Sequence, residues 1–238
     1  MIIQRELPLI EDTIRKIEKE FQLIKGLLLT ESDLKCHIYS RLNQYIRFKL
    51  PTPTREERIY ATSLHTELSW YDEDGNLSIV PDITILETEQ LSILRGLGDA
   101  IQLPKKQFQF AGNAIIFELK LVREPRGISR NVFIDKIVPD FRKIHKLFRK
   151  LESEGCLDQV YCFFVIFNKT NKVCEEFRRL LVNYGESPRH KIIYGTGNID
   201  MVDFTKNYSD PPSIQELNRL GACIPFNIAG KKRLKELT

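Results

Sequence analysis

Two short apolar runs, VPDITIL at residues 80–86 and IIFELKL at 115–121, decide how this chain is read. Both are built from Ile, Val, Phe and Leu, as buried strands are, yet the first carries Asp82 and the second Glu118 and Lys120. Strand side chains alternate between the two faces of a sheet. In the first run Ile79, Pro81, Ile83 and Ile85 share one face, and Val80, Asp82 and Thr84 the other. In the second, Ile115, Phe117, Leu119 and Leu121 oppose Ala114, Ile116, Glu118 and Lys120. Each strand therefore has one apolar face and one face that becomes ionisable partway along. As sheet neighbours, under about 5 Å apart, the two strands bring Asp82, Glu118 and Lys120 to one place.

Two carboxylates at one place repel, and one pKa rises unless a cation lies between them. Mg²⁺ suits such a pair, because it takes oxygen ligands and keeps several waters. A divalent ion there lowers the pKa of bound water and neutralises charge on a phosphoryl oxygen. A lysine beside it orients the nucleophile or stabilises the transition state. Together these are the parts of a phosphodiester hydrolysis site. Pro81 cannot donate a ladder hydrogen bond and marks where the strands splay.

Outward from these strands the pattern predicts an α/β chain. LHTELSWY (64–71) and LSIVPDITIL (77–86) flank DEDGN, so Asp-Gly between strand-like runs predicts a hairpin. DEDGN is not an EF-hand, since its glycine falls at the fourth loop position and no acid stands at the twelfth. Ile10, Ile14, Ile17, Phe21, Ile24 and Leu28 follow a heptad seam, which predicts a helix that packs on the chain's own body or meets a partner. Thr30 and Asp33 approximate a capping box for a second helix, ended by the prolines of KLPTPT (49–54). Residues 87–112 read as an irregular excursion. VFIDKIVPDFRKIHKLFRKLE (132–152) reads as a helix with Phe133, Ile137, Phe141, Ile144, Phe148 and Leu151 on one face, kinked or begun at Pro139. QVYCFFVIFN (159–168) reads as a strand buried on both faces, VCEEFRRLLVNY (173–184) as a helix and HKIIYG (190–195) as a final strand. From residue 198 the chain reads as wrapping structure with a frayed basic tail.

Pro81-Asp82, a gap of 35 residues, then Glu118-Leu119-Lys120, set in this order of elements, resembles the PD-(D/E)xK, or restriction-endonuclease-like, nuclease superfamily. The resemblance covers roughly residues 30–197 and points to no single subfamily. It implies a mixed central β-sheet flanked by helices, with residues 1–29 a helical extension and 30–238 the nuclease-like domain. It further implies that Asp82 and Glu118 hold Mg²⁺, with Mn²⁺ as a substitute, and that Lys120 assists the attacking water. An acid from the first core helix would join them; Glu31 is the nearest match and Asp33 its rival.

The charge is mildly basic overall, +4 on 238 residues, but unevenly spread. Residues 120–150 hold ten basic side chains against three acids. Arg123, Arg126, Arg130, Lys136 and Lys143 form the expected rim for a nucleic-acid backbone, DNA first. A solvated helix face is the plainer account of the same charges. His65 and Glu67 read as ordinary strand residues or secondary site candidates, and the glycines of YGTG (194–197) as a turn. Five cysteines with no C-x-x-C spacing, no apolar run of membrane length and acids near the N-terminus point to a cytoplasmic protein with reduced thiols. A homodimer, or a protein partner on the N-terminal helix, stays open. So does a nucleic-acid-binding or assembly module that keeps the fold without cutting.

Overall fold

The computed structural model describes residues 2–199 except 25, 72–76, 93–94, 98–99, 103–108, 111, 154 and 156–158. The DEDGN turn, Cys156, Cys223 and the chain from residue 200 lie outside the described residues. The core is a mixed five-stranded sheet: β1 (Leu64–Thr66), β2 (Ile83–Leu86), β3 (Ala114–Val122), β4 (Val160–Asn168) and β5 (His190–Thr196). The strands lie side by side in chain order. The first two pairings are antiparallel and the last two parallel.

Parallel neighbours need crossovers, and two helices supply them. Helix α3 (Val138–Ser153) joins β3 to β4, and α4 (Glu175–Tyr184) joins β4 to β5. Both cover the same face, packing Ile144, Leu147, Phe148 and Phe177 against Ile116, Phe164 and Ile166. The opposite face, with Phe117, Leu119, Phe163 and Phe167, is covered by α1 (Ile2–Leu23) and α2 (Glu31–Leu42). The heptad seam is used within the chain: Ile10, Ile14, Ile17, Phe21 and Leu28 are fully buried against the sheet. β4 is buried along its whole length, as its unbroken apolar run requires.

Three expectations are corrected. The run 77–86 is not one strand. Leu77–Ile79 pairs with Trp70–Tyr71 in a separate ribbon, and only Ile83–Leu86 joins the sheet. Ile79 accordingly packs in the α3 layer while Ile83 and Ile85 face α1 and α2. The break falls at Pro81, and opposite it Glu67 takes a left-handed φ of 55°. Next, the α3 pattern starts one residue earlier than its periodicity suggested. Val132 is buried and the half-buried Phe133 opens a π-helical stretch, Phe133–Ile137. The step from Val132 to Ile137 is five residues, the wide turn; from there Phe141, Ile144 and Phe148 resume helical spacing. Pro139 follows at once and has no N–H to give an ordinary turn. Finally, the excursion after β2 contains paired strands among its described residues. Leu91–Ser92 pairs with Gln109–Phe110, and Arg95–Leu97 with Ala100–Gln102.

The glycines of YGTG serve close approach. A Cβ on Gly195 would stand 2.6 Å from the Phe167 ring, and one on Gly197 2.7 Å from that of Phe21. Among the described residues no helix is long and apolar enough to cross a membrane.

Candidate active site

The site forms where β2 leaves β3. Their ladder ends at the pair Ile83–Phe117, and Pro81 turns the chain away. β3 continues for five residues with backbone donors that the missing strand would have met. Buried donors need partners, and carboxylates supply them. Asp82 Oδ2 accepts from the Leu119 amide at 2.9 Å, and Glu31 Oε2 from the Leu121 amide at 3.2 Å. Asp82 keeps its own amide on the Phe117 carbonyl, one position beyond the last strand pair.

Glu118 and Lys120 point to the face covered by α3, as their parity required. Glu118 is 6% exposed. Its strand neighbour on β4 is Phe164, on which Phe141 of α3 stacks with centroids 4.0 Å apart. Glu118 Oε1 accepts from Lys143 Nζ at 2.5 Å, while the buried Oε2 has no hydrogen-bond partner. Burial pushes the Glu118 pKa up to about 8. Lys143 opposes the rise, and Asp140 and Asp82 add to it. Burial also raises Asp82, which the Leu119 amide partly offsets. Lys120 Nζ lies between Asp140, at 2.9 Å, and Glu31, at 3.3 Å. Burial lowers its pKa, the two carboxylates outweigh that, and the group stands above its ordinary value. Lys35 reaches Asp82 at 3.8 Å and Glu67 at 2.5 Å.

Asp82, Glu118, Lys120 and Glu31 thus come together in one cluster. Asp33 does not join it; its carboxylate accepts from the Thr30 and Leu29 amides and completes the capping box. Lys143 is a partner of Glu118 and not a rim cation. Of the remaining rim cations, Lys136 is paired with Glu124, Arg130 with Glu176, and Arg123 donates to the Leu29 carbonyl. Arg126 is exposed. His65 sits on β1 opposite Thr84, with burial holding its pKa low, and Glu67 meets the cluster through Lys35 and through its amide, which donates to the Asp82 carbonyl at 3.3 Å.

Sequence reasoning missed Lys35 and Asp140. The available signal was helical spacing: Glu31/Lys35 is an i,i+4 pair and Asp140/Lys143 an i,i+3 pair, each presenting an acid and a lysine on one side of a helix. Beside the cluster opens a cavity of about 500 Å³, lined by Glu31, Lys120, Arg123, Glu124, Lys136 and Asp140 among others. Asp82 and Glu118 are not part of its wall, so the cavity meets the cluster at its Lys120 end.

Among the described residues no three His, Cys, Asp or Glu side chains are grouped to hold a metal ion. The donor set that remains, the carboxylates of Asp82 and Glu118, fits a hard cation that takes one or two protein oxygens and keeps its waters. The unpartnered, buried Oε2 of Glu118 is the atom such a cation would satisfy. Comparison with family models, curated proteins and solved structures finds no match to this chain.

Proposed function

We propose that this chain is a nuclease that hydrolyses phosphodiester bonds, with DNA as the favoured substrate. We read its sheet and helices as a restriction-endonuclease-like core. The observation that carries this reading is the meeting of Asp82 and Glu118 where β2 peels from β3, with a buried Glu118 oxygen lacking any partner. Asp82 and Glu118 would hold Mg²⁺ or Mn²⁺, which when bound supplies Lewis-acid stabilisation and a more acidic water. Lys120, kept cationic by Glu31 and Asp140, acts as a donor and not as a base. It faces the cavity and can hold a phosphoryl oxygen or the attacking water there.

A second reading has its own support. Lys143 and Lys35 already lie against Glu118 and Asp82, as in a polar core that binds nucleic acid without cutting it. The deciding experiment incubates the protein with DNA and RNA panels in Mg²⁺, Mn²⁺ or EDTA, beside Asp82→Ala and Lys120→Ala. The nuclease reading expects metal-dependent cleavage that both folded variants lose. No cleavage by wild type, together with no calorimetric binding of Mn²⁺, would leave the binding module.

A further inference from the structure

The cations around residues 123–136 were the expected contacts for a nucleic-acid backbone, yet most of them are held by acids or carbonyls of the chain. The charge left for a partner lies elsewhere. Residues 141–151, FRKIHKLFRKL, contain five Lys or Arg and no acid; Lys143 is held by Glu118, and Arg149 and Lys150 have contacts of their own. In α3 the apolar members Phe141, Ile144, Leu147 and Phe148 face the sheet. Arg142, Lys146 and Arg149, at i, i+4 and i+7, are exposed on the outer side. The helical rise sets Lys146 about 6 Å and Arg149 about 10 Å along the axis from Arg142. Among the described residues Arg142 and Lys146 have no ion-pair partner. The same helix carries Asp140 to Lys120 and Lys143 to Glu118. The outer face of α3 is turned away from the cluster by the width of the helix, so a polyanion lying there is held on the element that carries two of the cluster's residues.

We infer that this face holds one phosphate backbone of a double-stranded nucleic acid, with Arg142 and Lys146 as its principal contacts. The inference rests on the nuclease reading for its biological sense. Duplex is favoured because proteins that grip single strands stack the bases on aromatic side chains. The exposed Tyr, Phe and Trp side chains among the described residues are Tyr60 and Tyr184, neither on α3 nor in the cluster, and the one exposed ring on α3 is the smaller imidazole of His145. A duplex keeps its bases stacked internally and asks only for charges at its phosphates.

Fluorescence anisotropy tests this with a short labelled DNA duplex and its single strand, in EDTA so that no cleavage occurs, over a series of KCl concentrations. Wild type is expected to bind the duplex more tightly than the strand. Arg142→Gln/Lys146→Gln should weaken that binding and flatten the slope of log affinity against log salt by about 1.8, from about 0.9 for each phosphate contact removed. Arg178→Gln/Arg179→Gln, which removes the same charge from the exposed side of α4, should leave the slope in place. Circular dichroism checks that each variant is folded. An unchanged slope in the α3 variant, tighter binding of the single strand, or no binding of either would overturn the inference. The nuclease reading fails separately. Duplex binding that depends on α3, with no metal-dependent cleavage by wild type, would sink the enzyme and keep the surface. Cleavage lost in Asp82→Ala, with binding indifferent to α3, would do the reverse.

Discussion

Glu118 shows how one residue can carry a site's electrostatics. It stands on a strand that is otherwise largely core, beside Phe164, on which Phe141 stacks, and among the described residues its carboxylate hydrogen-bonds only Lys143. With a folded pKa of about 8 against an ordinary glutamate value of 4.5, the folded protein holds a proton there that the unfolded chain releases. The stabilisation from that proton is complete below the unfolded pKa and fades as pH rises from about 4.5 through about 8. In EDTA, thermal unfolding should therefore occur at progressively lower temperature across that window, and Glu118→Gln, which cannot ionise, should flatten the decline. A decline equally steep in Glu118→Gln would assign it to other groups. Because a bound cation must displace that proton, Mn²⁺ should raise the melting temperature more at pH 8 than at pH 6 (pH values spanning that shift). Differential scanning fluorimetry at the two pH values reads this directly.

At the scale of elements, two helix beginnings set the geometry. Helix α2 starts with a full capping box: Thr30 accepts from the Asp33 amide, and Asp33 accepts from that of Thr30. Glu31, on the first turn between them, is thereby aimed at β3. Thr30→Ala should destabilise the protein by about 1 kcal/mol, the usual cost of losing such a cap. Chemical denaturation measures it, and a loss near zero would mean the tertiary contacts of α2 hold the turn without the cap. The start of α3 is set by the wide turn before Pro139, which places Asp140 and Lys143 on the sheet side while keeping Ile137 and Phe141 in the core. Its apolar periodicity was legible in the sequence. The extra residue was not, because a one-residue slip in a helix leaves each half of the pattern intact.

For the whole molecule, α1 is the layer that closes the second face of the sheet. Phe21 is fully buried and stacks on Phe167 with ring centroids 6.2 Å apart. Phe21→Ala should cost about 3–5 kcal/mol, as a deleted core aromatic does, and a loss below about 1 kcal/mol in urea denaturation would show that the face does not need this helix. Helix α1 also seals the exposed edge of β5. Arg15 donates to the Tyr194 carbonyl, Glu18 accepts from the Thr196 amide, and Glu11 pairs with Lys191. An open edge invites pairing with another chain, and charged side chains that occupy it prevent this. Glu18→Ala should speed hydrogen exchange at the Thr196 amide without changing that of the β4 amides, which exchange-detected mass spectrometry or NMR would resolve.

The sequence by itself determined the elements and their faces. Period-two alternation assigned Glu118 and Lys120 to one side of β3. The unbroken apolar run made β4 an interior strand buried on both faces, and the heptad seam required α1 to be covered. These are local periodicities, and burial enforces them wherever the strand or helix comes to lie. The tertiary structure alone decided which charges meet. It broke the run 77–86 at Pro81, gave the freed amides of Leu119 and Leu121 to Asp82 and Glu31, and enclosed Lys120 between Glu31 and Asp140. It also drew Lys143 from the expected rim onto Glu118. Ion pairs of this kind join residues 20 to 89 positions apart along the chain. A carboxylate's need for a partner carries no periodicity, so the partner is chosen only when the backbone brings the two side chains within reach.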